Sequence, residues 1–175
     1  TKYQSSLEEV AQVIKAQCSF PVVEYAKLFR LIIFNFLCGN EDQHLKNFSL
    51  IEDQGKVRLS PCYDLLNSTI ITKTSEEIAL PLNGKHKGLT RADFTDHFGS
   101  QVLGLPPRLI QTVFEDMAAS MVHWPDLIER SFLWPELQQK YTHLFRQRCQ
   151  ILGFHWVQVS SDELDVLGKS SLQKG

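Results

Sequence analysis

The stretch from Val22 to Cys38 constrains this chain most. Val22, Ala26, Phe29, Ile33, Phe36 and Leu37 recur at helical spacing, and Leu28, Leu31 and Ile32 make much of the other face apolar as well. A helix with so little polar surface cannot present a broad side to water. The spacing therefore predicts a helix buried on most sides, with a core assembled around it. Gly39-Asn40 comes next as a stop signal, because both residues tolerate a left-handed backbone. The segment beyond it is held at the end of a rigid buried rod, a good place to fix chemical groups.

The flanking sequence supplies mostly helices and one hairpin. Ser6-Leu7-Glu8-Glu9 has the capping-box pattern, which predicts a short helix to about Gln17, and Phe20-Pro21 interrupts it. Phe48–Ile51 and Lys56–Leu59 read as two short strands with Glu52–Gly55 as the turn between them. Residues 65–90 are poorly patterned: Ile78–Leu82 reads as a strand or an extended segment, and Asn83-Gly84 as a turn. A capped helix is expected from Thr90 to about Phe98. Another opens at Pro106-Pro107, with Leu109, Ile110, Val113, Phe114, Met117 and Met121 as its core face. Pro125 and Pro135 punctuate the segment after it. A last helix is expected over Glu136–Leu152, with Leu137, Tyr141, Leu144, Phe145 and Leu152 inward and Gly153 as its stop. Trp124, Trp134 and Trp156 are candidates for an interface anchor. Residues 160–175 are mostly polar and small, and read as a frayed tail or a partner-docking segment. The expected fold class is mainly α (α+β), with the folded unit over 1–159 and a flexible tail over 160–175.

At 175 residues the chain is one domain, or one lobe and a tail. The longest apolar run, Leu31 to Cys38, is broken by Asn35 and falls far short of the roughly 20 residues that span a bilayer. No membrane role is expected. A net charge of −2 argues against binding nucleic acid through a basic face. Cys18, Cys38, Cys62 and Cys149 form no C-x-x-C pair, which fits reduced, mostly buried thiols in a cytoplasmic protein. Thr1-Lys2-Tyr3-Gln4 is not a signal peptide and fits an excised fragment.

The chemistry-bearing residues lie just past the buried helix. Asn40-Glu41-Asp42-Gln43-His44-Leu45-Lys46-Asn47 sets an Asp and an Asn five positions apart, and Tyr63-Asp64-Leu65 adds a second Asp beyond the hairpin. Phosphoryl transfer from a nucleoside triphosphate needs a carboxylate beside the attacking hydroxyl and oxygen ligands for magnesium. A D-x-x-x-x-N loop with a later lone Asp supplies them in kinase-type lobes. In that reading Asp42 is the catalytic base, and Asn47 and Asp64 are the magnesium and nucleotide ligands. The bland readings are a helix-end Asp in a solvated turn, a hairpin-capping Asn and a turn-opening Asp. His44 either holds Asp42 through a hydrogen bond or is a structural histidine. Lys46 either approaches the transferring phosphoryl group or is an exposed lysine. A zinc site of Asp42, His44 and a distant His123 or His143 has no ligand spacing behind it. Gly84-Lys85-His86-Lys87-Gly88 lacks phosphate-loop spacing and reads as a solvated basic turn. Tyr63 and Phe48 read as packing for the hairpin.

These residues carry a resemblance. Gly39 to Ser49, then Arg58-Leu59-Ser60-Pro61-Cys62-Tyr63-Asp64, resembles the HipA family of bacterial serine/threonine kinases, the toxins of HipBA-type toxin–antitoxin systems. Lys2–Ser5 resembles the segment before the catalytic helices, and Asn83–Phe94 a later loop and helix. The likeness covers roughly residues 2 to 153. It implies a helical kinase C-lobe, ATP and magnesium as cofactors, and a protein serine or threonine as acceptor, in some members on an aminoacyl-tRNA synthetase. It also implies a helix-turn-helix antitoxin as partner, with DNA met only through that antitoxin. No Gly-rich phosphate loop and no V-A-I-K-like strand occurs here, so the resemblance implies a separate N-terminal lobe, without which the chain would be inactive. Two other expectations compete: a kinase-derived module that docks an antitoxin without chemistry, and a small-molecule phosphotransferase of the aminoglycoside type.

Overall fold

A computed structural model describes residues 5–72 and 75–154. The expected tail over 160–175, Trp156 and most of the Lys2–Ser5 segment lie outside the described residues. Helix α1 spans Leu7–Gln17, α2 Pro21–Cys38, α3 Pro107–Met121, α4 Trp124–Glu129 and α5 Pro135–Leu152. A 3-10 turn covers Leu45–Asn47 and a π-helix Asp93–Val102. Strands β1 (Leu50–Asp53) and β2 (Lys56–Leu59) form an antiparallel pair with Leu50 opposite Leu59. The mainly α fold with one small hairpin is as the sequence leads one to expect.

Helix α2 is the axis of the core. Eleven of its residues are buried, from Glu24 and Tyr25 to Leu37 and Cys38. Phe29 and Phe36 are fully buried, as are Phe94, Phe98 and Phe145 on the elements packed around them. The Phe36 and Phe94 ring centroids are 4.8 Å apart, and Trp124 stacks on Phe145 at 4.4 Å. Burial of each such side chain is worth about 2–3 kcal/mol over leaving it in water. Val22 departs from the expected inward stripe, being 67% exposed, because the first turn of α2 sits at an open rim.

The ends of the helices reflect local chemistry. Ser6 caps α1 by accepting from the Glu9 N–H at 3.3 Å, while the Glu9 carboxylate takes the Ser5 hydroxyl at 2.7 Å. Pro21 and Pro135 stand in the first turns of α2 and α5, where a missing N–H costs nothing. Helix α2 stops at Gly39 with φ 75°, and the Asn40 N–H reaches back to Asn35 O at 2.9 Å. That is the Schellman arrangement, and only glycine enters it without strain. A Cβ at Gly39 would also lie 2.5 Å from Leu144 Cδ2 and 3.0 Å from Thr69 Oγ1. Gly39→Ala is therefore expected to cost about 2 kcal/mol, read as a fall in Tm of about 4–8 °C in thermal unfolding.

The hairpin turn is tighter in the structure than the sequence suggests. Gln54 and Gly55 alone form it, at φ 52° and 71°, so β1 runs to Asp53 rather than ending at Ile51. Two positive-φ residues make the turn whose twist matches the strands, which draws Glu52 and Asp53 into the ladder. The outer edge of β2 is covered: the Val57 N–H donates to Ser19 Oγ at 3.0 Å and the Leu59 N–H to the buried Glu24 carboxylate at 3.0 Å. Helix and hairpin are thus pinned together directly before the segment that leads to Asp64.

Further details of the fold are physical in origin. The helix expected to end near Phe98 continues as a π-helix, with the Leu103 N–H bonded to Phe98 O, five residues back. Its wider turn lets Gly99 press against Ile110 and Phe29 while Phe94 and Phe98 both point inward. Segment 78–82 carries only an isolated bridge between Leu82 and Lys85, across the Asn83-Gly84 turn. The basic turn is anchored rather than merely solvated. Lys85 Nζ lies 2.8 Å from the carboxylate of Asp93, which is 3% exposed and also receives Asn83 Nδ2 and the Thr90 N–H and hydroxyl. Burial would raise the Asp93 carboxyl, but these donors outweigh it and hold the group well below the usual carboxylate range. On α5, Leu137, Tyr141 and Leu144 are only half-buried, and Phe145, Arg148, Cys149 and Leu152 face the core.

Candidate active site

The end of α2 is where the buried polar groups collect. Asn40 is 1% exposed. Its Nδ2 donates to Asp64 O at 2.9 Å and to Asn35 Oδ1 and Gln43 Oε1 at 3.2 Å, and its Oδ1 accepts from the Asp42 N–H at 3.2 Å. Gln43 in turn donates to Asn47 O at 3.2 Å. One amide therefore joins the helix end, the loop and the residue beyond the hairpin. A buried polar group is costly unless partnered, so the bonds centred on Asn40 favour one arrangement of the loop, while Asn35 Nδ2 has no hydrogen-bond partner among the described residues.

Within the loop, the His44 N–H donates to Asp42 O at 2.8 Å and the Asn47 N–H to His44 O at 2.9 Å. Asn47 Nδ2 then reaches two groups: Asp42 O at 3.0 Å and Asp64 Oδ2 at 2.6 Å. Its two amide hydrogens are taken by these oxygens. The contact to Asp64 crosses seventeen positions of sequence, so the hairpin returns the chain to the loop it left. Tyr63 fastens the return. Its hydroxyl donates to Lys46 O at 2.9 Å, which leaves Ser49 Oγ to donate to it at 2.6 Å. Asp64 itself sits at φ 57°, a left-handed conformation that Asp adopts more readily than most residues. From there the chain wraps the helix cap: the Ser68 and Thr69 N–H groups donate to Gly39 O at 3.1 Å, and Ser68 Oγ accepts from the Glu41 N–H at 2.8 Å.

Of the five residues singled out from the sequence, Asn47 and Asp64 touch. Asp42 joins them through its backbone carbonyl, with its side chain half-buried. His44 is buried, and Lys46 is exposed on the 3-10 turn. Sequence reasoning took Asn40 only as a helix stop and missed its role, and that of Gln43 and Ser68. The signal available was Asn35, a polar break in an apolar run that turns out to face Asn40. Beside the site runs a groove of about 680 Å3, lined by Val23 and Phe34 of α2, Val113 and Met117 of α3, and Pro61 and Leu65 on either side of Asp64. Burial pushes the Cys38 thiol up to about 12 and raises that of Cys62, so neither is poised as a thiolate at neutral pH.

Comparison with known proteins decides the family. The model described as HipA-like C-terminal domain matches residues 1–124, well over half of the sequence. The chain belongs to the HipA-like C-terminal domain family. The match holds all five candidate residues and α1 to α3 and ends at the first residue of α4, with α5 beyond it. A Sinorhizobium fredii protein named “Putative kinase Y4mE” is 31% identical over 97 residues, 53% of this chain and 23% of that protein. A Haemophilus influenzae protein named “Putative kinase” is 33% identical over 86 residues, 47% of this chain and 25% of that protein. This HipA-like chain spans about a quarter of the length of the curated relatives it matches. In structure it is similar to a chain of the Shewanella oneidensis MR-1 toxin–antitoxin complex of HipA, HipB and operator DNA. The TM-score is 0.65 at 22% identity, over 85% of this chain and 36% of that one, which is a likeness of fold. No helix among the described residues of the HipA-like chain is long and apolar enough to cross a membrane.

A HipA-like kinase implies magnesium and ATP, and the donor set fits the metal. Among the described residues no three His, Cys, Asp or Glu side chains gather as a metal site. Magnesium favours hard oxygens, takes one or two carboxylates and leaves the remaining positions to phosphates and water. The exposed Asp64 carboxylate offers hard oxygens of that kind, while Asn47 meets it through Nδ2–H and would offer Oδ1 with its amide turned.

Proposed function

We propose that this chain is the catalytic C-terminal lobe of a HipA-like serine/threonine protein kinase, which moves the γ-phosphate of ATP to a protein hydroxyl. The observation that carries the reading is the 2.6 Å contact between Asn47 Nδ2 and Asp64 Oδ2, made by the same amide that holds Asp42 O at 3.0 Å. It supports the reading by joining Asn47 to the Asp64 side chain and to the backbone of Asp42.

In this reading Asp42 orients the acceptor hydroxyl by a hydrogen bond to its carboxylate and takes the proton as the oxygen attacks. Asp64, and Asn47 with its amide oxygen turned toward that carboxylate, would hold the magnesium and, through it, the nucleotide. Magnesium bound there would neutralise charge on the phosphates. His44, buried beneath the loop, keeps Asp42 in position, and Lys46 offers a cation to the equatorial oxygens of the transferring group. The nucleotide's other contacts come from an N-terminal lobe in the longer polypeptide, which agrees with the quarter-length match to the relatives. A helix-turn-helix antitoxin is the proposed partner, supported by the fold likeness to HipA from a complex with HipB and operator DNA, so DNA is met only through the antitoxin. The proposed location is the cytoplasm. An aminoacyl-tRNA synthetase is one proposed acceptor class.

The test is transfer of labelled γ-phosphate by the full-length protein, with acid hydrolysis to identify the acceptor. Phosphoserine or phosphothreonine is expected. Asp64→Ala is expected to weaken magnesium-dependent ATP binding by about tenfold or more, the loss of at least one charged ligand contact. Unchanged magnesium-dependent binding in that variant would remove Asp64 from the site, and label on a sugar or amino alcohol would replace the protein acceptor.

A further inference from the structure

Arg148 lies on α5, beyond the residues that the family model matches. It is 4% exposed, although arginine is rarely buried without a reason. Its guanidinium lies 4.4 Å from the centroid of the Phe36 ring, on the last turn of α2. Its Nη1 makes no hydrogen bond among the described residues and stands 3.4 Å from Glu77 Oε1, an ion pair without hydrogen-bond geometry. Burial lowers the guanidinium's proton affinity, and the charges of Glu77 and Glu41 offset only part of this. Glu41 and Glu77 line the same hollow as Arg148, of about 460 Å3.

The two carboxylates belong to the segments that flank the site. Glu41 immediately precedes Asp42; its N–H is held by Ser68 Oγ and its carboxylate accepts from Thr72 Oγ1 at 2.9 Å. Glu77 lies in the segment beyond Asp64, where its carboxylate accepts from the Leu89 N–H at 2.9 Å. A desolvated cation attracts such carboxylates far more strongly than an exposed one, and leaving any of the three unpaired is costly.

We infer that Arg148 is a positioning residue, a buried counter-charge that clamps the loop bearing Asp42 to the segment beyond Asp64. The inference rests on the kinase reading for its consequence but not for its geometry. The clamp acts through charge on the backbone at Glu41, and so fixes where the loop begins. Arg148→Met keeps the stem over Phe36 and removes the charge, while Arg148→Lys keeps the charge.

Hydrogen exchange in the full-length protein tests it. Arg148→Met is expected to speed exchange of the amides of residues 41–47 by about tenfold while those of Val10, Ala11 and Ile14 in α1 hold their rates. Arg148→Lys is expected to return the loop to within about threefold of the parent. Where Arg148→Met does not fold, Glu77→Gln is expected to give the same local acceleration. Loop exchange at the parent rate, or equal acceleration throughout the core, overturns the inference, since the residue would then be ordinary packing. In the phosphotransfer assay, Arg148→Met is expected to lower kcat about tenfold with KM for ATP unchanged. Local acceleration in a protein that transfers no phosphate would uphold the clamp and refute the kinase reading.

Discussion

Asp42→Ala in the full-length protein is expected to lower kcat for phosphoryl transfer by about 10²–10⁴-fold, while ATP binds as before. That range is what a positioned general base contributes. The split between binding and turnover is the informative part. Asp42 meets the acceptor in the proposed site, whereas Asn47 and Asp64 meet the metal and nucleotide, so the variant loses an interaction made at the reacting oxygen. Alanine keeps the N–H that donates to Asn40 Oδ1 and the carbonyl that accepts from Asn47 Nδ2. A folded, ATP-binding, inactive protein is therefore the expected result. Loss of ATP binding in parallel with kcat would move Asp42 into the nucleotide site.

Asn40→Ala is expected to have the largest effect on stability. The substitution strips the donor from Asn35 Oδ1, Gln43 Oε1 and Asp64 O at once and leaves the Asp42 N–H without its acceptor. Each buried group left unsatisfied costs about 1–3 kcal/mol, and because the groups form one network the sum is not additive. A loss of about 3 kcal/mol in urea unfolding is expected. Activity should fall further than stability explains, because the freed Asp64 carbonyl no longer ties that residue to the loop. A change within about 0.5 kcal/mol would mean that the loop is held by other bonds.

The elements that the sequence made legible are those whose causes are local. Helix α2 was readable because its apolar positions and the Gly39 stop lie within one stretch, and α1, α3 and α5 were readable for the same reason. The hairpin was found with β2 at its expected bounds and β1 set two residues early, since the Gln54-Gly55 turn is chosen by the twist of the paired strands and not by polarity alone. The π-helix was not legible: its extra width answers to Gly99 meeting Ile110 and Phe29, contacts from distant parts of the chain. The candidate site divides in the same way. Asp42, Asn47 and Asp64 stood out by type and spacing. Asn40 was seen as a helix stop because nothing local says that a carbonyl twenty-four positions away will need its amide. Arg148 was hidden among the polar residues of α5, where only the folded chain brings Phe36 and Glu77 to it.

The central claim is that residues 42, 47 and 64 surround one metal–nucleotide site, and manganese in place of magnesium probes it directly. Titrating Mn2+ and ATP into the full-length protein should broaden the carboxyl signals of Asp42 and Asp64 and the side-chain amide of Asn47 before any others, with Glu8 and Asp93 unaffected. Preferential broadening elsewhere, with those three signals sharp, would contradict the account.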